Sequence, residues 1–259
     1  MTDQKNSNNQ RPVSTKMLVD ATSAQDHAAI DSCFMVFCPT TSQKGSSFAI
    51  SGEVVVTNEH VVRGEQVEKI VLIDADGRKM SVKSLEVDAR RDLAFLLVEV
   101  PLESFLELST DDILVGANVK TWGFPLGYHG PAPLLIQGTI AGLNKSQAGA
   151  NHVVVNAAFN QGNSGGPLID SVSNKVIGVV CSKHAPLTAF QSNALDVLVQ
   201  QRSGMQYTAR DEKGKTINFS EAQIVGDILN QLVSLTQVVI GEAITASELR
   251  DSKNSRGLV

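Results

Sequence analysis

Short apolar runs rich in β-branched residues recur along the first 185 residues, and clusters of turn residues separate them. Eight of these runs predict strands: Phe34–Phe37, Ser47–Ile50, Val54–Thr57, Lys69–Ile73, Leu93–Val98, Val119–Trp122, Val153–Val155 and Val176–Cys181. No long apolar pattern of helical period interrupts them, which argues against a parallel α/β sheet. We therefore expect an all-β fold built as a sandwich or as barrels.

One strong helical pattern comes late in the chain. Ser220 and Gln223 have the spacing of a capping box, and the apolar residues that follow recur at helical spacing up to a stop at Gly241. These apolar residues are Ile224, Ile228, Leu232, Leu235 and Val239. We expect an amphipathic helix that either docks on the second lobe or forms an oligomer or partner interface. Before it, Met205–Asn218 predicts a hairpin around Lys213-Gly214, so residues 201–246 form a hairpin plus a helix.

The two ends of the chain are polar and lack periodicity. Residues 1–16 are rich in Asn, Gln and Ser, and residues 247–259 carry Ser, Asn and alternating charges. Segments of this composition bury too little apolar surface to order themselves. We expect a flexible N-terminus and a flexible C-terminal tail.

The composition is that of a soluble globular protein with a sizeable core, because 42% of residues are hydrophobic and 19% are charged. The net charge of −5 gives no electrostatic basis for binding nucleic acid or an anionic membrane. No apolar run approaches the roughly 18 residues that span a bilayer, and the first twenty residues contain no signal-peptide core. We expect a cytoplasmic protein without nucleic acid or membrane partners.

Three cysteines, Cys33, Cys38 and Cys181, match no metal-binding motif. Their odd number and the expected compartment predict reduced thiols. A disulfide between Cys33 and Cys38 is not expected, since an odd separation in a strand sends the side chains to opposite faces.

The segment NQGNSGGPL, residues 160–168, surrounds Ser164 with residues that cannot or need not cover it with side chains. Such a loop offers a hydroxyl and backbone N–H groups together, which is the combination that acyl transfer needs. It predicts a nucleophilic Ser164 and an oxyanion hole within Gly162, Asn163 and Ser164, with the amides of Gly162 and Ser164 as donors. The alternative is an ordinary glycine-rich turn between strands.

A serine nucleophile needs a base, and the chain has five histidines. His60 directly follows the predicted strand Val54–Thr57 and has apolar neighbours that would anchor it, so it is the favoured base. The other four occupy polar, loop or strand-start positions, where a histidine is usually solvated or structurally paired. They are His27, His129, His152 and His184.

The base in turn needs a carboxylate that fixes its tautomer. Asp92 begins the apolar run Leu93–Val98 although packing gives no reason for a polar residue there. Asp88 is the second candidate, but the intervening Arg90 and Arg91 suggest that it faces solvent.

The chain order His60, Asp92, Ser164 is that of the chymotrypsin fold, and the sequence resembles trypsin-like serine proteases, most closely the HtrA (Deg) branch. The matching stretches are GSSF from residue 45, then TNEHVV, RRDLAFLLV, WGFPLG, IQGTIAGL, NQGNSGGPLID and KVIGVV. They cover about residues 30 to 183. The resemblance implies two packed antiparallel β-barrels with the triad between them, in a protease domain over residues 17–200 whose lobes are 17–112 and 113–200.

The sequence departs from this family at informative positions. Asn163 replaces the Asp that accepts the freed N-terminus in digestive trypsin-like enzymes, so activation by cutting of that kind is not expected. Val61 replaces the cysteine that often follows the base in those enzymes, which agrees with a reducing compartment. Beyond residue 190 no convincing PDZ domain follows.

The resemblance also indicates a specificity pocket. Ala158, six residues before Ser164, takes the position at its base, where an Asp would select Arg or Lys. Val180, Cys181 and Ser182 would form its wall. We expect a small or apolar side chain at the cleaved bond.

Residues 162–166 also satisfy the G-x-S-x-G pattern of α/β-hydrolases. That fold requires a helix directly after the serine and the order Ser, Asp, His. Gly165-Gly166-Pro167 begins a helix poorly, and only His184 follows Ser164, so this alternative is disfavoured. An esterase or acyltransferase on the trypsin-like fold shares every residue named and stays open.

Together these features predict a serine endopeptidase that acts on a protein or peptide substrate through an acyl-enzyme, with no metal and no organic cofactor. Without the activation salt bridge of digestive enzymes, we expect regulation by a protein partner or by homo-oligomerisation. The alternative function is a protease-fold binding or scaffold module whose site is idle or gated.

Overall fold

The computed structural model describes residues 11–181, 189–210, 216–235 and 240–258. The chain divides into two compact units. One comprises residues 1–182 with 239–259, and the other comprises residues 183–238.

Within the described residues the chain forms fourteen strands and six α-helices. The strands are β1 Cys33–Cys38, β2 Gln43–Ala49, β3 Val54–Thr57, β4 Val71–Ile73, β5 Lys79–Asp88, β6 Leu93–Val98, β7 Asn118–Gly123, β8 Leu134–Lys145, β9 Asn151–Asn156, β10 Pro167–Asp170, β11 Val176–Cys181, β12 Gln206–Arg210, β13 Thr216–Ser220 and β14 Gly241–Thr245. The helices are α1 Val13–Asp20, α2 Ala24–Ser32, α3 Glu59–Val62, α4 Ala189–Gln200, α5 Glu221–Leu235 and α6 Ala246–Ser255.

Twelve of these strands close into two antiparallel barrels, which confirms the predicted all-β fold. The first barrel has the strand order β1-β2-β3-β6-β5-β4. The second has the order β10-β11-β14-β9-β8-β7. Closure removes exposed sheet edges from both barrels.

The apolar runs are nearly continuous because many strands are buried on both faces. In β6, Leu93 and Phe95 join a core between the two barrels. Their neighbours Ala94 and Leu96 join the interior of the first barrel. Since side chains alternate between faces, a strand with two buried faces shows an unbroken apolar run.

Four barrel strands were not predicted from the apolar runs: β5, β8, β10 and β14. The strand β14 matters most, because the sequence suggested that Gly241 ends a helix. Instead Gly241 begins a wholly buried strand between β11 and β9, with Cys181 opposite Glu242. The second lobe therefore does not end at residue 200, and residues 201–246 are not one hairpin-plus-helix segment.

The predicted flexible ends are wrong where the structure describes them. Residues 1–10 lie outside the described residues, but α1 begins at Val13 and buries Thr15, whose hydroxyl donates to Ala75 O at 2.6 Å. The C-terminal segment forms α6, in which Leu249 is fully buried. Polar and charged contacts hold both segments together with only a few apolar side chains such as Leu249, so neither segment shows an apolar period.

The unit of residues 183–238 contains α4, the β12–β13 hairpin and α5. The predicted capping box is present: Gln223 N–H donates to Ser220 Oγ at 3.2 Å, and Ser220 N–H donates to Gln223 Oε1 at 3.0 Å. The helix α5 packs on α4 at Gly226, where an added Cβ would lie 2.9 Å from a methyl carbon of Val199. The side chains of Leu235 and Val239, and the predicted turn at residues 213–214, lie outside the described residues.

Cys33, Cys38 and Cys181 are free thiols. Cys33 faces the core between the barrels, whereas Cys38 points into the first barrel, so the two side chains lie on opposite faces of β1. Burial raises the pKa of the Cys38 thiol to about 11. Among the described helices, none combines the length and the apolar character that crossing a bilayer requires.

Candidate active site

The loop before Ser164 contains a tight turn over residues 160–163, in which Asn163 N–H donates to Asn160 O at 3.0 Å. Gly162 has φ +96°, the left-handed value that a type II turn requires at its third residue. A Cβ on Gly162 would lie 2.5 Å from Phe124 O. Only glycine fits this position.

The orientation of the peptide between Gln161 and Gly162 is fixed from outside the loop. Leu126 N–H donates to Gln161 O at 2.6 Å. Because the C=O and N–H of a trans peptide point in opposite directions, the Gly162 N–H is directed away from Leu126.

Ser46, on β2 of the first barrel, makes three hydrogen bonds to the second barrel, two of them to the serine loop. Its N–H donates to Ser164 O at 2.8 Å, and its hydroxyl donates to Gly162 O at 2.7 Å and accepts from Phe124 N–H at 2.9 Å. Sequence reasoning assigned Ser46 no role. The available signal was the adjacent serines Ser46 and Ser47 in the stretch GSSF, which the resemblance had matched.

The C-terminal side of the loop rests on β11. Gly165 N–H donates to Val180 O, and Val180 N–H donates to Gly166 O, both at 2.8 Å. Gly165 has φ +87°, and a Cβ there would lie 2.2 Å from Ser46 O. Ser164 is only 5% exposed, so the barrels enclose it more than its glycine neighbours suggested.

His60 and Asp92 meet in the first barrel, as the sequence predicted. His60 Nδ1 lies 2.7 Å from Asp92 Oδ2, and His60 N–H donates to Asp92 Oδ1 at 2.9 Å. Both carboxylate oxygens of Asp92 therefore contact one residue. This two-point contact fixes the direction of the carboxylate against the imidazole.

The backbone of Asp92 is also constrained. Its φ of +55° lies in the left-handed region, which Asp tolerates better than most residues. Its carbonyl accepts from Glu59 N–H at 3.2 Å and from Asn58 Nδ2 at 3.0 Å.

The expectation that Asp88 faces solvent is wrong. Asp88 is buried, and its Oδ2 lies 2.9 Å from Arg91 Nη1 and accepts from Ser252 Oγ at 2.7 Å. Burial by itself would raise the pKa of Asp88, but these hydrogen bonds outweigh burial and hold its pKa below the ordinary value.

Two predicted site residues do not have the expected positions. Val180 is fully buried in the core of the second barrel, so its side chain does not line a specificity pocket. The backbone N–H of Asn163 donates to Asn160 O within the 160–163 turn, so this N–H is not an oxyanion donor. Ala158 and Cys181 are half-buried, and Cys181 Sγ lies 3.5 Å from Asn58 Nδ2, close to the His60 side of the site. Ser182 lies outside the described residues.

Residues 45–179 match the trypsin-like peptidase domain family. A probable periplasmic serine endoprotease, DegP-like, of Brucella suis is 34% identical over 151 residues, which cover 55% of this chain and 28% of that protein. Periplasmic serine endoprotease DegP of Escherichia coli is 33% identical over 138 residues, covering 51% and 28%. Protease Do-like 1, chloroplastic, of Arabidopsis thaliana is 30% identical over 161 residues, covering 58% and 35%. The aligned part thus spans 28% to 35% of these relatives.

Solved structures share the fold. The inactive form of the Rv3671c protease has a TM-score of 0.61 at 19% identity, covering 95% of this chain and 96% of that one. The active form of the M. tuberculosis protease has a TM-score of 0.56 at 23% identity, covering 71% and 85%. The HtrA-type protease AlgW with a tripeptide has a TM-score of 0.55 at 22% identity, covering 71% and 65%.

Proposed function

Because the chain belongs to the trypsin-like peptidase family, we propose that it is a serine endopeptidase with Ser164 as nucleophile, His60 as general base and Asp92 as the residue that orients His60. The observation that carries this proposal is the two-point contact between Asp92 and His60, at 2.7 and 2.9 Å. It is the arrangement that a base needs to keep one tautomer.

The proposed reaction follows from that tautomer. With its Nδ1 proton held by Asp92, His60 accepts the Ser164 hydroxyl proton at Nε2 while Ser164 Oγ bonds to the peptide carbonyl carbon. His60 then gives this proton to the leaving amine, and the C–N bond breaks to leave an acyl-enzyme. Water, deprotonated by His60, hydrolyses the ester and restores Ser164.

The negative charge on the carbonyl oxygen needs hydrogen-bond donors. In this proposal the amides of Gly162 and Ser164 supply them, each contributing about 3 to 4 kcal/mol to the transition state. The bond from Leu126 to Gln161 O supports this role, because it holds the Gly162 N–H in one orientation.

Preference for a small or apolar side chain at the cleaved bond is part of the proposal. It rests on Ala158, which offers no carboxylate to a basic side chain. Cleavage of a peptide library checks this preference, and a strong requirement for Arg or Lys would contradict it.

Control by a protein partner or by homo-oligomerisation is also proposed. It is supported by α5, where Val225, Ile228, Leu229 and Leu232 are exposed. A scaffold with an idle site remains the alternative function. The cytoplasmic location stays a prediction, and the named relatives are periplasmic or chloroplastic proteins.

A fluorophosphonate probe tests the enzyme against the scaffold. We expect the full chain to be labelled, Ser164→Ala to be unlabelled, and Ser171→Ala, which changes a serine in a turn outside the site, to be labelled like the wild type. Equal labelling of Ser164→Ala would exclude Ser164 as nucleophile. No labelling of the folded wild type would favour the idle or gated site.

A further inference from the structure

The loop that carries Asp92 is bound to the C-terminal helix α6 by a cluster of charged and polar residues, here called the Arg91 cluster. Its members are Asp88, Arg91, Glu248, Ser252 and Arg256. Three of them lie on α6 or directly after it, while Asp88 ends β5 and Arg91 lies in the turn between β5 and β6. The cluster therefore joins two segments that are distant in the sequence.

Arg91, directly before Asp92, is fixed through its backbone N–H and two nitrogens of its guanidinium group. Its Nε donates to Glu248 Oε2 at 2.6 Å, and its Nη1 donates to Asp88 Oδ2 at 2.9 Å. Its N–H donates to Asp88 O at 3.1 Å, which closes the turn. The Arg91 side chain is 17% exposed, and both carboxylates are more deeply buried.

Glu248 connects this turn to the other barrel. While its Oε2 accepts from Arg91, its Oε1 accepts from Asn151 N–H at 3.0 Å and from Asn151 Nδ2 at 2.9 Å. Asn151 begins β9 in the second barrel. One carboxylate thus bridges the barrel that carries His60 and Asp92 to the barrel that carries Ser164.

The rest of α6 strengthens the same attachment. Ser252 Oγ donates to Asp88 Oδ2 at 2.7 Å, and Arg256 Nη2 donates to Val87 O at 2.7 Å. The Arg256 guanidinium also lies 5.9 Å from the centre of the Phe95 ring.

The backbone of Asp92 is the part of the site that needs such support. A left-handed φ at a residue other than glycine costs about 1 to 3 kcal/mol, and it persists only where the surroundings fix it. If the turn relaxed, the Asp92 carboxylate would lose its two-point contact with His60. A buried, hydrogen-bonded ion cluster beside the turn resists that relaxation.

We propose that Arg91 and Glu248 form a positioning pair, in which α6 holds the Asp92 turn and the spacing of the two barrels in the arrangement that the proposed triad needs. Neither residue touches the reacting atoms; both act through the Asp92 turn and the spacing of the two barrels. The inference rests on the proposed function, since it assigns Asp92 the orienting role.

The test compares Arg91→Met with Arg90→Met in the full chain, using a fluorophosphonate probe. Both changes remove one positive charge from neighbouring positions, but Arg90 is 48% exposed and lies 3.7 Å from Glu248. We expect the maximal labelling rate of Arg91→Met to fall about 10- to 100-fold, since a misplacement of about 1 Å costs up to about 100-fold. The half-saturating probe concentration of Arg91→Met should change less than about twofold. The labelling rate of Arg90→Met should also change less than about twofold.

A spectroscopic measurement separates positioning from stability alone. The proton between His60 Nδ1 and Asp92 is expected to give a downfield resonance in histidine-labelled wild type and in Arg90→Met. In Arg91→Met it should broaden or disappear at temperatures where circular dichroism shows a folded chain. A lower melting temperature with an unchanged resonance and labelling rate would overturn the proposal.

Glu248→Gln is the second variant, and it decides the question if Arg91→Met does not fold. Its remaining amide oxygen can still accept from Asn151, while its amide nitrogen cannot accept from Arg91. We expect the same loss of rate and resonance as for Arg91→Met, and no further loss in the double variant. If the wild type is not labelled at all, the proposed function fails, and the His60 resonance still decides the positioning role.

Discussion

Asn163, directly before Ser164, occupies a buried position that accepts a neutral side chain better than a charged one. The residue is 1% exposed, and neither Oδ1 nor Nδ2 of its side chain has a hydrogen-bond partner among the described residues. A buried neutral amide without partners costs about 1 to 3 kcal/mol, whereas an unpaired buried charge costs considerably more. The site therefore accepts an amide, and none of the described residues offers a hydrogen-bonding cation to a carboxylate there.

We expect Asn163→Asp to destabilise the serine loop at neutral pH and to recover as the pH falls. Burial without a cation would raise the pKa of the new carboxyl group, so its penalty is present above the unfolded-state value of about 3.9 and shrinks as it becomes protonated. Melting temperatures from pH 7 to pH 4, relative to the wild type, check this. A constant difference across that range would contradict it.

Ser46 allows a matched comparison with its neighbour. Ser46→Ala removes the hydroxyl that joins Gly162 O to Phe124 N–H, and we expect a loss of about 2 to 4 kcal/mol of unfolding free energy. Ser47→Ala removes a hydroxyl that donates to Phe34 O at 3.1 Å within the first barrel. Only Ser46→Ala should slow fluorophosphonate labelling of the folded protein; equal labelling rates would contradict the role of Ser46.

At the scale of elements, the apolar runs found strands such as β6 that are buried on both faces. They missed β14, a buried strand that contains Gly241 and Glu242, and they missed α6. The helix α6 has only two buried apolar residues, Ala246 and Leu249. Its sequence therefore shows no apolar period from which the helix could be predicted. The contact between His60 and Asp92 could be predicted because each residue stands out in its local sequence. Arg91 could not, because its partner Glu248 is 157 positions away.

The carboxylates that hold α6 make its attachment sensitive to acid. For Glu248 as for Asp88, burial tends to raise the pKa, but hydrogen bonds from Asn151 and Arg91 outweigh it and lower the pKa of Glu248. A lowered folded-state pKa contributes stability that is present above the unfolded-state value of about 4 and is lost as the pH falls through the folded-state value.

We therefore expect the difference in unfolding free energy between the wild type and Asp88→Asn to be largest above about pH 5 and to shrink toward pH 3. Denaturant unfolding at several pH values measures it. Asp112→Asn, which changes an exposed loop residue, is the control and should not reproduce this dependence. A difference that grows on acidification would contradict the assignment.

At the scale of the whole molecule, the unit of residues 183–238 is an insertion between two paired strands. The chain leaves the second barrel after β11 and returns to it at β14. Cys181 and Glu242 are opposite each other in this antiparallel pair, so the two strand ends are close enough for a tight turn to join them. The barrel's hydrogen bonds along β11 and β14 do not depend on the insertion.

Replacing residues 183–239 with a four-residue turn containing Asn-Gly should therefore leave both barrels folded. We expect cooperative unfolding, retained near-ultraviolet circular dichroism and a retained His60 resonance, because the strand register and the Arg91 cluster lie in the remaining unit. A variant with the same turn and Val179→Asp, which places a charge in the core between the barrels, is the control for loss of the fold. If the shortened chain unfolds like that control, the barrels need the insertion to fold. If the shortened chain folds and its labelling by the fluorophosphonate rises or falls, the insertion affects the access of the probe to Ser164 but not the folding of the barrels.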